Sequence, residues 1–205
     1  MNSPDAAFDN PFATRWVAPG ALPFVFPSGS GVMLLVDALR KEDWRGAIVG
    51  PHGCGKSTLL ATMVPLLGEL AWDVEQVVLR EGERVLPHRA LDGKRGDAKR
   101  MVVVDGWEQL RPWTRRRVAR RCRRAGWGLL VTCHMPTNIP SLLEIEPDLA
   151  TAQAIVAKLT DGRKATVPFE LLAASFHQHR GNLREVLFEL YDWYERCQRN
   201  NRNDA

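Results

Sequence analysis

Cysteine is scarce in this chain and badly spaced for its usual structural uses. Among 205 residues there are four, Cys54, Cys122, Cys133 and Cys197. No two of them form a C-x-x-C pair, which argues against a zinc site and against a disulfide framework. Reduced thiols are the expectation. Long apolar runs are missing as well: nothing approaches the roughly 18 to 20 apolar residues that a membrane-spanning helix needs. The opening stretch MNSPDAAFDNPF has neither the positive nor the apolar region of a secretory signal, and a cytoplasmic location is expected. Lysine is rare beside arginine, 6 against 22, a bias that base composition alone can produce. Acid is absent from residues 111 to 124, where eight arginines stand. The net charge is +4, so the rest of the chain carries −4.

What is present is the make-up of a globular protein. Hydrophobic residues are 45% and charged residues 25%, and the length fits one domain with a small annex and a real core. Residues 1–30 are rich in Pro, Gly and Ser, punctuated by Phe12, Trp16, Phe24 and Phe26, and have no regular period. They read as an irregular arm packed through its aromatics. A short helix over 31–41 leads into a first strand, GAIVG, and STLLATMVPLLGEL then reads as a helix that Pro65 bends or ends. Apolar runs recur at 74–80, 101–105, 127–133 and, more weakly, 141–145. Alternation of such Val-rich runs with helical segments indicates buried parallel strands. Residues 81–100 are polar and contain glycine, and no element is assigned to them. From 148 the pattern is helical: DLATAQAIVAKL, then VPFELLAASFHQH with Pro168 at its first position. The last helix starts at Asn182 with Glu185 as a capping-box pair, and Leu183, Leu187, Leu190 and Tyr194 share its face. The expected organisation is an arm (1–30), an α/β core (31–147), three helices (148–197) and a disordered tail (198–205).

Three motifs carry chemistry. Residues Gly50 to Ser57, within IVGPHGCGKSTLL, fit GxxxxGK(S/T) between an apolar strand and a helix, the context that pattern requires. Backbone N–H groups of Gly50, Pro51's neighbours His52, Gly53, Cys54 and Gly55, and of Lys56, Ser57 and Thr58 at the helix start, would cradle phosphate oxygens. Lys56 would reach the β and γ phosphates and Ser57 would ligate Mg²⁺; the competing reading is a structural glycine turn. The second motif, MVVVDGWEQL, ends a buried run at Asp105, placed to deliver a carboxylate to the metal, against the alternative of a capping Asp. Gly106 follows it, so Glu108 is the next carboxylate and the candidate general base, or else a solvated residue opening a helix. The third, LLVTCHMP, would present Thr132 or His134 at the C-terminal end of an adjacent strand, where ligands of open α/β sheets bind. Either could sense the γ-phosphate or the attacking water; either could instead serve only strand or loop.

Together these motifs resemble the additional-strand class of P-loop NTPases: an α/β fold with a central parallel sheet flanked by helices. GNLREVLFELYDWYE is similar to the arginine-bearing helix in the C-terminal helical lid of AAA+ ATPases, with Arg184 at the matching position and Arg180 in reserve. DGWEQ departs from the AAA+ Asp-Glu pair and is closer to the Asp-Gly-x-acid pattern of NACHT-like ATPases, which puts base and turnover in question. The resemblance implies ATP and Mg²⁺, with Ser57 and Asp105 as metal ligands, and gives RWVAPGALPF a place against adenine. A strap over the core is the equal alternative for that arm.

The basic run comes last. Thr114, Val118, Cys122 and Ala125 lie at helical spacing and form the expected buried stripe, leaving a solvated arginine face as the default. Eight uncompensated cations, Arg111, Arg115, Arg116, Arg117, Arg120, Arg121, Arg123 and Arg124, would also suit nucleic acid, an acidic partner, or a neighbouring subunit of a homo-oligomer. No aromatic interleaving supports base readout. The leading expectation is an ATPase that drives a conformational change in a protein or nucleic-acid partner. The alternatives are an ATP-gated module that hydrolyses little and, further off, a small-molecule kinase.

Overall fold

The computed structural model describes residues 10–26, 29–93, 99–163 and 166–203. The chain divides into two compact units, one of residues 28–51 and 56–145, the other of residues 1–27, 52–55 and 146–205.

The first unit is built on five parallel strands. These are β1 (Arg45–Val49), β2 (Asp73–Val78), β3 (Arg100–Asp105), β4 (Gly128–Cys133) and β5 (Ser141–Glu144), in the order β2-β3-β4-β1-β5. The strands rich in valine and leucine are the buried ones: Met101 to Val104 and Leu129 to Val131 are fully shielded, as a sheet covered on both faces demands. At the edge, β2 buries Val77 and leaves Val78 58% exposed. Two glycines admit close neighbours. A Cβ at Gly46 would lie 2.1 Å from Leu142, and one at Gly128 would lie 2.5 Å from Met101. Register places the functional ends together: Val49 pairs with Cys133, Val131 with Val104, and Val78 with Asp105. The C-terminal ends of β1, β3 and β4 therefore share one edge of the sheet, with β4 between the other two.

Three helices belong to this unit: α2 (Val32–Lys41), α3 (Lys56–Glu69) and α4 (Pro112–Ala125). Leu35, Val36 and Leu39 are the buried stripe of α2. The stripe of α4 is Thr114, Val118, Cys122 and Ala125, the four residues its spacing indicates. Pro112 opens α4 and Gly126, at φ 75°, closes it. Of the two outcomes expected at Pro65, a bend or an end, the helix does not end there: α3 runs four residues past it. Burial of Leu59, Leu60, Met63 and Leu67 outweighs the one lost backbone bond. The unassigned stretch 81–100 contains a 3-10 turn, His88–Leu91, tied to β2 by the Arg89–Glu75 ion pair at 3.1 Å.

The second unit is helical: α1 (Thr14–Val17), α5 (Leu149–Thr160), α6 (Phe169–Gln178) and α7 (Leu183–Asn203). Its core is Phe12, Ala152, Val156, Leu159, Leu172, Phe176, Leu183, Val186, Leu190 and Tyr194. Asp148 caps α5 by accepting a bond from the Thr151 N–H at 2.6 Å, which holds its carboxyl below the usual range. Asn182 accepts from the Glu185 N–H at 3.4 Å, the capping geometry read from the sequence. Pro168 is the cap of α6, one position before its expected place. The arm is less irregular than its composition suggests. Phe12 is 1% exposed, and Asn10 donates to the Tyr191 carbonyl and the Glu195 carboxylate of α7. The last helix runs to Asn203, into the stretch expected as a tail from 198; 204 and 205 lie outside the described residues.

Candidate functional site

Strand β1 stops at Val49 and α3 starts at Lys56, so six residues make the turn between them. Gly53 and Gly55 adopt φ of 69° and 98°, a region that residues with side chains avoid. The Lys56 ammonium is 8% exposed and donates to the carbonyls of Gly50 at 2.7 Å and Pro51 at 2.6 Å. A buried cation requires such acceptors. Ser57 and Thr58 follow in the first turn of α3, where free N–H groups and the helix dipole favour an anion.

Residues His52 to Gly55 group with the helical unit, and two of its side-chain sets crowd them. A Cβ at Gly53 would fall 1.8 Å from Asn182 Oδ1 and 3.3 Å from Arg184 Cβ. Arg184, exposed on the first turn of α7, thus has its Cβ beside Gly53. At Gly55 the neighbour is the Phe24 ring of the arm, 3.3 Å from an added Cβ. Cys54 is 3% exposed and fills space, while His52 is exposed.

At the sheet edge, β3 and β4 bring Asp105, Thr132, Glu108 and His134 into two linked pairs. The Thr132 hydroxyl donates to Asp105 Oδ1 at 2.6 Å and accepts from the Gly106 N–H at 2.9 Å. At 1% exposure it fixes the orientation of the Asp105 carboxylate. Gly106 has φ 93°, and a Cβ there would lie 2.7 Å from the Leu79 carbonyl. No side chain fits at that position, which explains why an acid does not follow Asp105 directly. The chain turns through a 3-10 segment, Trp107–Gln109, and offers Glu108 instead. One Glu108 oxygen lies 3.2 Å from His134 Nε2; the other, Oε2, is buried with no hydrogen-bond partner. Arg115 locks this turn, donating to the carbonyls of Glu108 at 2.6 Å and Leu110 at 2.8 Å. Beneath it, burial first and the Glu108 charge second push the Cys133 thiol up to about 11, which makes it inert as a nucleophile.

Sequence reading singled out Asp105, Glu108, Thr132 and His134 as candidates without their pairing, which depends on β3–β4 register. It missed Phe24 as a neighbour of the loop, and it missed that Arg115 and Arg121 are structural. Arg121 donates to the Gly93 carbonyl and, with Arg100, lies against the Trp127 ring at 4.8 and 5.1 Å. Among the described residues no group of three or more His, Cys, Asp and Glu could cage a metal ion. One carboxylate and one hydroxyl, Asp105 and Ser57, nevertheless suit Mg²⁺, which keeps several waters and binds through few protein groups plus phosphates. No helix among the described residues is long and apolar enough to cross a membrane.

No family model matches the chain, and no curated protein matches it. Among solved structures it is similar to that of C. elegans PCH-2, with 12% identity over 82% of this chain and 67% of that one and a TM-score of 0.35.

Proposed function

We propose that this protein binds Mg·ATP at residues 50–58 and hydrolyses it slowly, using the cycle to change its state toward a partner. The observation that carries the reading is the placement of GPHGCGKS after β1 with Asp105 at the end of β3, one strand away across β4. That inserted strand is the arrangement the additional-strand class is named for. Lys56 would exchange the Gly50 and Pro51 carbonyls for phosphate oxygens, and the amides from Gly53 to Thr58 would complete the cradle. Ser57 and Asp105 would hold Mg²⁺, which supplies positive charge beside the phosphates. Thr132 keeps the Asp105 carboxylate aimed. Glu108, steadied by His134, accepts a proton from water as the water oxygen bonds to the γ-phosphorus. The bond from that phosphorus to its bridging oxygen breaks, and the electron pair stays with the β-phosphate. Arg184, by its likeness to the lid arginine of AAA+ ATPases, would add a cation for the phosphates.

Lys56→Ala is expected to weaken ATP binding at least 100-fold in equilibrium titration; unchanged affinity would sink the reading. Single-turnover phosphate release should fall about 100-fold or more in Glu108→Gln, the usual worth of a general base. The glycine enforced at 106 favours one second reading, a nucleotide-gated switch. Equal, negligible release by the wild type and Glu108→Gln, with ATP binding retained, would establish it instead.

A further inference from the structure

Six arginines of the basic run are exposed, and their side chains make no hydrogen bond or ion pair among the described residues. Arg115 and Arg121 are committed to backbone carbonyls. Arg111, Arg116, Arg117, Arg120, Arg123 and Arg124 are exposed. At about 100° per residue, Arg116, Arg117, Arg120, Arg123 and Arg124 fall within an arc of about 120° on α4, directly opposite the buried stripe. Their rows follow the turns of the helix and cover about 12 Å of its length. Trp113 lies in the middle of the same arc and is 57% exposed. A groove of 1180 Å³ runs along this helix, with His88, Thr137 and Asn138 on its walls and, among the described residues, Asp92 as its one carboxylate.

We infer that this face of α4 binds a single strand of nucleic acid, phosphates against the arginines and an unpaired base on Trp113. Charge complementarity favours a polynucleotide over an acidic protein. Five cations on consecutive turns need an anion at each turn, which a phosphodiester chain supplies by its covalent structure. An acidic protein, by contrast, would have to place carboxylates at that spacing through its own fold. Trp113 favours a single strand over a duplex, because a duplex keeps its base faces stacked inside whereas an exposed indole is a platform for a loose base. Neutral polar groups on the groove walls add no sequence code, so little base preference is expected. The inference does not rest on the ATPase reading, and its test uses no nucleotide.

The experiment is fluorescence anisotropy of a labelled 20-residue oligo(dT) titrated with the full chain at 50 and 200 mM salt. With five phosphates engaged, a salt exponent of about 0.7 per contact predicts roughly 100-fold weaker binding at the higher salt. The double variant Arg116→Glu, Arg120→Glu should lose at least 10-fold. Trp113→Ala should lose between about 5- and 100-fold. Arg40→Glu, a charge reversal on α2, should change affinity less than 3-fold, and far-UV circular dichroism should be unaltered in all of them. No binding at 50 mM salt, tighter binding to a duplex of equal length, indifference to Trp113→Ala, or equal competition by poly-glutamate would each overturn the proposal.

Discussion

At the level of single residues, the informative feature is how the Thr132 hydroxyl is used. Thr132 spends its hydroxyl proton on Asp105 and a lone pair on Gly106, so it orients a carboxylate and has little left with which to sense a ligand. A comparable economy holds α6 to α7. Glu189 accepts from Ser175 and lies 3.0 Å from His179 Nε2. The Ser175 bond, ahead of the His179 bond and the nearby Arg196 charge, holds the Glu189 carboxyl below its ordinary value. A depressed carboxylate stabilises the fold above its unfolded pKa and ceases to do so as pH falls through its folded one. In urea denaturation, wild type should therefore exceed Glu189→Gln in stability at pH 7, and the gap should shrink as pH falls below the ordinary glutamate value of about 4.3. A gap that did not change with pH would assign the difference to packing.

Elements were legible where burial dictates composition. The runs at 101–105 and 128–133 must be apolar because both sheet faces are covered, and the α4 stripe repeats at helical spacing for the same reason. What escaped was whatever depends on partners distant in sequence. The turn at 88–91 is held by Glu75 of β2, and the extension of α7 to Asn203 cannot be foreseen from a polar, capless end. At the site, the loop and Asp105 were readable from local pattern. The Glu108–His134 pair and the clash that keeps position 106 glycine were not, because they arise from register and from the Leu79 carbonyl. Local propensity also misjudged Pro65, which is exposed inside α3. Its substitution by Ala restores a backbone donor and removes a ring clash, and should stabilise the protein by about 1 to 3 kcal/mol, read as a higher melting temperature in calorimetry. A lower melting temperature would show that the proline is required by its packing.

For the whole molecule, the four cysteines report the state of the fold. Cys54, Cys122 and Cys133 are buried, and only Cys197 is partly accessible. Burial also raises the Cys122 thiol to about 11, so neither access nor ionisation helps a reagent. Titration with an aromatic disulfide at pH 8 should register one fast thiol in the native protein and four after denaturation; three fast native thiols would contradict the packing described. Position 106 has a wider consequence. Its backbone sits where only glycine fits, against a carbonyl from the neighbouring strand's end. An acid at 106 would have to hold a left-handed backbone and displace the Leu79 carbonyl, so the turn itself sets the three-residue spacing between Asp105 and the next carboxylate, Glu108.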